Sequence, residues 1–453
     1  EVYDYGDLSV SVNKIKQGSN TAAGNGAYIN EAFKQFYFVG DEFSTDGISF
    51  GIVGKLGDKT KNFKLDASAA EITGYDMSKA GVQTVKVAYT LNGVTKAKGL
   101  HITVKPLPDD IASQTEIVLA VNEKFAQANV GTQNVLGAYR FRTIQQALEF
   151  LSAAGIEDNI PKTMYLAEGT YWEKVEVTVP NLTIIGKGAD KTKIEYDALY
   201  GVEDAGGFVH TTDSTATFNV RDKAAGFTIK GVTISNYYNN ADAYTGAPSN
   251  DCRALAMLIQ ADKVVMEDCT LLGYQDTLEL FTGRQLIKNC LIVGVTDYIF
   301  GTNNTTYFVG CELRNLNHIK ASQPGYVTAF KGNNKGTGVD KVTYGAIFDD
   351  CDFTAEAGVP EGLCALGRAW GVDAAVMIMN SRIGAHISKT ASTTQGGRYI
   401  SMGNGDPTGA QFTEYNNTGA GAITESLATV KVLTEAQAAN YSNFEVIFGK
   451  VNN

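Results

Sequence analysis

The chain has little proline, 8 residues in 453, and only 6 cysteines and 2 tryptophans. With an apolar fraction of 44%, such scarcity of proline excludes a low-complexity or disordered polymer and points to a folded chain. No apolar run approaches the roughly 18 to 20 residues that a helix needs to cross a bilayer, so no membrane span is expected. A basic excess is also missing: 38 Lys and Arg stand against 49 Asp and Glu, a net charge of −11. That balance argues against nucleic acid or an anionic membrane as partner, because binding phosphate takes a basic face. It would also repel a polyanionic polysaccharide, and would repel an esterified, neutralised one less. The cysteines match no zinc-site spacing.

What the chain does have is glycine, 48 residues, alongside abundant Val, Ile, Thr, Tyr and Phe, a composition for strands joined by tight turns. Its length exceeds an ordinary single core, although a solenoid escapes that limit by growing along its axis. Two domains are expected, residues 1–107 and 108–453.

The second region repeats itself. Cys269, Cys290 and Cys311 each close a short apolar run and lie 21 residues apart, and Asp276 and Asp297 are separated by the same 21. A period in the low twenties with short β-type runs and a following glycine is the pattern of stacked coils. Equivalent positions on neighbouring coils of a parallel sheet lie about 4.8 Å apart, which would make the two aspartates neighbours on one face. Two carboxyls so close cannot both ionise easily, so one stays protonated while the other is charged. The pair can then offer an acid and a nucleophile at one pH. The cysteines read as an internal stack of small apolar side chains rather than disulfides, with Cys252 and Cys364 outside the series.

The first region lacks this period. Thr84–Thr90 and Gly99–Lys105 alternate apolar and polar residues about Asn92-Gly93, the mark of an antiparallel hairpin, and Phe36–Val39 and Ile48–Val53 add strands to a small β-sandwich. Gly47-Ile48-Ser49-Phe50-Gly51 fits the G-x-S-x-G nucleophile elbow, but no helix signal follows it, so Ser49 reads as a strand residue. The segment from Asp76 to Val85 with its hairpin resembles bacterial immunoglobulin-like modules. Pro106-Leu107-Pro108 reads as a linker. Beyond it, Thr143-Ile144-Gln145-Gln146 has the form of a capping box opening a helix that can plug the solenoid. Glycine-rich stretches at 331–339 and 383–409 read as loops thrown out from the stack, and 435–439 as an outer helix.

Three phrases stand together: Gly273-Tyr274-Gln275-Asp276-Thr277-Leu278, Asp297-Tyr298-Ile299-Phe300-Gly301 and Leu366-Gly367-Arg368-Ala369-Trp370. With Arg142–Ala147, Glu168–Tyr171 and Phe412–Ala422 they resemble the pectin methylesterases over about residues 115–450. The resemblance implies an all-β protein, a right-handed parallel β-helix preceded here by the small immunoglobulin-like β-sandwich. It implies an enzyme that hydrolyses the methyl esters of galacturonate in pectin without metal or cofactor, secreted or at a bacterial surface, and a monomer.

Residue by residue, the resemblance implies that Asp297 is the nucleophile, Asp276 the acid and then the base, and Gln275 an oxyanion donor. Arg368 would hold Asp297 ionised and Trp370 would face a sugar ring. Tyr274 and Tyr298 are candidate substrate contacts, beside the structural reading that such tyrosines more often have. The spacing of two puts Arg368 and Trp370 on one side of an extended strand. The chain departs from the family at Arg253, where a second glutamine is usual. An arginine there can stabilise an oxyanion or lower the pKa of Asp276. Ala369 in place of proline and Val327–Phe330 also depart, which bears on substrate pattern rather than reaction. A pectin or pectate lyase and a catalytically silent glycan-binding β-helix stay open as alternatives.

Overall fold

The computed structural model describes the chain except residues 1–3, 13–33, 46–47, 57–58, 66–67, 69, 92, 204–208, 240–250, 321–322, 333–343 and 443–453. Two small sheets come first. Asp4–Val12, Ile48–Leu56 and Lys59–Lys64 form one, and Phe36–Phe38, Val94–Lys105, Gly81–Leu91 and Glu71–Thr73 the other. Tyr37, Val85, Ile102 and Val104 from the second pack with Ile48 from the first, giving an immunoglobulin-like sandwich core. Strands Gly81–Leu91 and Val94–Lys105 run antiparallel with Leu91 opposite Val94. Asn92 lies outside the described residues, while Gly93 takes the positive φ of 78° such a turn demands. Ser49 stands near the start of a strand that runs on to Leu56, where an elbow would need a helix.

From Ile117 onward the strands are short and parallel, in one sheet of 18 and another of 8. The larger sheet is two faces joined edge to edge: Leu278–Lys288 and Ile299–Val309 each run through the bend and serve both. Every coil therefore has three strand segments, wound as a right-handed parallel β-helix. Alternation fixes which side chains go inside. Met257, Ile259, Leu278, Leu280 and Ile299 join one continuous core, and the residues between them face out.

The corners of the coil need a left-handed residue, which among non-glycines Asn and Asp tolerate best. Asp268, Asn289, Asp350 and Asn380 take φ of 54°, 53°, 52° and 51° at one such corner, and Gly310 takes 64°. The next residue in four of these cases is Cys269, Cys290, Cys311 or Cys351, so the cysteines stack. All six cysteines are free and buried. Within the stack Cys269, Cys290 and Cys351 donate to the carbonyl two residues before, at 3.2, 3.2 and 3.3 Å.

Helix Ile144–Ala153 covers the N-terminal end. Thr143 Oγ1 accepts from the N–H of Gln146 as an N-cap should, and Glu173 takes the N–H groups of Ile144 and Gln145, both at 2.9 Å. Ile144, Ala147, Leu148, Phe150 and Leu151 are its buried face. Phe36 and Phe38 of the sandwich belong to this same core, with Phe38 and Phe150 ring centres 5.4 Å apart. At the other end helix Glu435–Ser442 lies outside the sheet, setting Ala438 against Tyr307, Ile347, Met377 and Met379. Part of the 331–339 stretch lies outside the described residues; 383–409 is a loop broken by the strand Tyr399–Ser401.

Candidate active site

Two turns of the same shape on successive coils carry the aspartates. Each begins with a glycine, Gly273 and Gly294, three residues before its Asp. A Cβ on the first would overlap Thr277 and on the second Tyr298, because each turn folds back on its own next strand. Asp276 and Asp297 then take φ of 62° and 49°. The property that makes aspartate an ordinary turn residue therefore also fixes where these carboxyls stand. Gln275 bridges in parallel to Thr296 on one side and to Arg253 on the other, and the N–H of Asp276 donates to Thr296 O at 3.0 Å. The two acids thus occupy the same position on adjoining coils, 6% and 4% exposed.

Their surroundings differ. Arg368 Nε donates to Asp297 Oδ1 at 2.7 Å, and its Nη2 donates to Oδ2, a bidentate pair. The guanidinium also lies 4.4 Å over the ring of Tyr326. Burial pushes the Asp297 carboxyl up, and Arg368 opposes that. Burial and then the Asp297 charge push Asp276 well above the usual carboxylate range, with Arg253 pulling the other way. Asp297 is the more readily ionised of the two.

Arg253 is committed to other groups. It grips Asp251 through Nε at 2.9 Å and Nη2 at 2.6 Å, donates to Thr212 at 2.6 Å, and stacks 3.5 Å over Tyr200. Asp251 in turn accepts from Gln275 Nε2 at 3.2 Å, while Gln275 Oε1 accepts from the N–H of Cys252. That network fixes which way the Gln275 amide points and, among the described residues, leaves its second N–H unengaged.

Arg368 and Trp370 project from the strand Ala365–Asp373 on the outer side, on either side of the buried Ala369. Trp370 is half-buried against Leu258, Phe300, Ala329 and Met402, and Lys331 Nζ lies 5.4 Å from the ring centre. Tyr274 and Tyr298 correct the expectation of ligand contact. Tyr298 is 0% exposed inside the coil, and Tyr274, 2% exposed, packs among Leu199, Tyr238 and Val295 with its hydroxyl taking the N–H of Ile319. Neither ring is open to a ligand.

Asp251, Glu279, Phe300 and Tyr326 lie at the site without having been singled out from the sequence. The repeat carried a signal for two of them, since Leu258, Glu279 and Phe300 are spaced by the same 21 residues. For Tyr326 there was none, because the loop before it breaks the period.

A family model described as Pectinesterase matches residues 130–450, and one described as Bacterial Ig-like domain (group 3) matches 31–104. The chain is 31% identical over 306 residues to a probable pectinesterase A of Neosartorya fischeri, covering 66% of this chain and 82% of that protein. It superposes on a pectin methylesterase from Yersinia enterocolitica with a TM-score of 0.58 at 27% identity, over 69% of this chain and 100% of that one. A pectin methylesterase in complex with a hexasaccharide, at 23% identity and TM-score 0.60 over 74% and 98%, has the same fold.

Proposed function

The chain belongs to the pectinesterase family and is a carboxylic ester hydrolase acting on pectin, and from that premise we propose that Asp297 is its nucleophile and Asp276 its acid and base. One observation carries this assignment: of two buried carboxyls on adjoining coils, Asp297 alone is clamped by a guanidinium. The ionised Asp297 attacks the carbonyl carbon of a galacturonate methyl ester and its electron pair becomes the new C–O bond. The resulting oxyanion takes the unengaged N–H of Gln275. Its collapse breaks the bond to the methoxy oxygen, which leaves as methanol with the proton of Asp276. Asp276, now a carboxylate, takes a proton from water as that water attacks the acyl carbon, and Asp297 departs ionised. The rings of Trp370 and Phe300 present an apolar wall to the sugar.

We infer action as a monomer, and the immunoglobulin-like module suits an enzyme working outside the cell or on its surface. Methanol release from methylated polygalacturonate tests the reaction. Absorbance from an unsaturated product would mean a lyase, and binding without methanol at any pH a silent glycan-binding protein.

Arg253 acts in this scheme through Asp251 and through its field on Asp276, rather than as an oxyanion donor. Activity requires Asp276 protonated and is lost as pH rises through its pKa. Since Arg253 lowers that pKa, Arg253→Gln should move the alkaline limb of kcat/KM to higher pH, and the Asp251 charge it uncovers pushes the same way. An unmoved alkaline limb would show that Arg253 does not act on Asp276.

A further inference from the structure

Along the outer side of the coils, one residue per strand forms a row beside the dyad. Register places Asn219, Leu258, Glu279, Phe300, Ala329 and Arg368 in line on successive strands. Leu278 and Leu280 enter the core, so Glu279 faces out with Leu258 and Phe300 on either side. A carboxyl in that place is unexpected. It is 4% exposed, and its Oε2 is buried without a hydrogen-bond partner among the described residues. Two strands away on the same row the Oδ1 of Asn219, 9% exposed, is buried without a partner as well. Buried polar atoms are almost always paired, and an exception calls for an explanation, of which a bound ligand is one.

Among the described residues, the charges whose fields couple to Glu279 are negative. Asp213, from the turn Asp213–Thr215, and Asp276, on its own coil, are the titratable groups whose fields couple to it. The two arginines of the site are engaged by other carboxylates, Arg368 by Asp297 and Arg253 by Asp251. Burial and then Asp213 push the Glu279 carboxyl up to about 8, so at neutral pH it is an acid with a proton to donate.

We propose that Glu279 is a substrate-positioning residue whose protonated carboxyl donates a hydrogen bond to an uncharged oxygen of a methyl-esterified galacturonate held in the groove. The inference rests on the pectinesterase reading and adds to it a residue matched to the neutral form of the polymer. A neutral acid between Leu258 and Phe300 keeps that stretch of the floor free of charge, in a protein whose overall charge opposes the free polyacid. Above its pKa the group loses the proton it donates and becomes a buried anion beside Asp213 and Asp276, so only the protonated fraction binds well.

The test is calorimetric binding of a methyl-esterified oligogalacturonate between pH 6 and 9.5 in an Asp297→Asn background, where turnover does not consume the ligand. Kd should be flat below pH 7 and rise about tenfold per pH unit above 8, as for a ligand that selects one protonation state. Adding Glu279→Gln, which keeps a donor but cannot ionise, should hold Kd flat across the whole range. Adding Glu279→Leu should weaken binding at every pH without a limb near 8. If the Gln variant shows the same alkaline loss, the proton belongs to another group and the inference fails. If no variant binds the esterified ligand at any pH, the reading of the groove itself fails. An unchanged thermal midpoint in the Gln variant separates the binding effect from damage to the fold.

Discussion

Replacing Asp297 by asparagine is expected to lower kcat on the order of 10⁴-fold with KM little changed, the scale on which enzymes suffer when a covalent nucleophile is removed. The amide matches the carboxylate in size and can keep one hydrogen bond from Arg368. The arginine it leaves uncompensated retains the ring of Tyr326 beneath it, and its side chain is 21% exposed to solvent. The backbone demand is met too, because asparagine tolerates the left-handed conformation at this turn as aspartate does. Far-UV circular dichroism and the melting midpoint should therefore stay near those of the parent, so that lost methanol release reports chemistry alone. A variant turning over within tenfold of the parent would remove Asp297 from the nucleophile's role and leave the pair without its proposed division of labour.

The part of this site legible in the sequence is the part governed by short repeats. Twenty-one residues per coil placed Asp276 beside Asp297 on stacked coils, while the three strand segments of each coil were not legible, because the bend inside Leu278–Lys288 and Ile299–Val309 interrupts no strand. The sandwich was readable from alternation about Asn92-Gly93, since local pairing sets a hairpin's register. Arg368 was beyond such reasoning. It lies 71 residues from Asp297 across an irregular loop, so no spacing could place it, and only the motif's resemblance to a family did. For Tyr274 and Tyr298 the structural reading holds over ligand contact, for a geometric reason. Tyr298 directly follows its aspartate and Tyr274 stands two residues before its own, and on either side of the left-handed turn the rings go into packed interior while the carboxyls stay at the groove. Arg253 was seen as an oddity but its behaviour was not, because its partners Thr212 and Tyr200 sit on a different excursion of the chain.

The phrase Phe412–Ala422 marked a resemblance with no role attached, and its physical content is the other large effect expected. Glu414 and Arg398 form a fully buried ion pair, Nε to Oε1 at 2.6 Å and Nη2 to Oε2 at 2.8 Å, with Nη1 donating to the carbonyls of Ser388 and Gly421. One guanidinium thereby ties the loop before Tyr399 to the segment after the strand Gln411–Tyr415, and the carbonyl of Arg398 itself takes the N–H of Leu366, two residues from Arg368. Arg398→Leu strands a carboxylate in the interior and should cost about 3 to 5 kcal/mol, the usual result of breaking a buried pair from one side, read as a shift in the urea midpoint. Hydrogen exchange should show the loss concentrated in the last coils, because a solenoid transmits damage mainly to its neighbours. Replacing both partners, Arg398→Met with Glu414→Leu, should restore most of the stability, since no charge is then left uncompensated. A double variant as unstable as the single one would trace the loss to the Ser388 and Gly421 carbonyls, deprived of their donor, and not to the orphaned carboxylate.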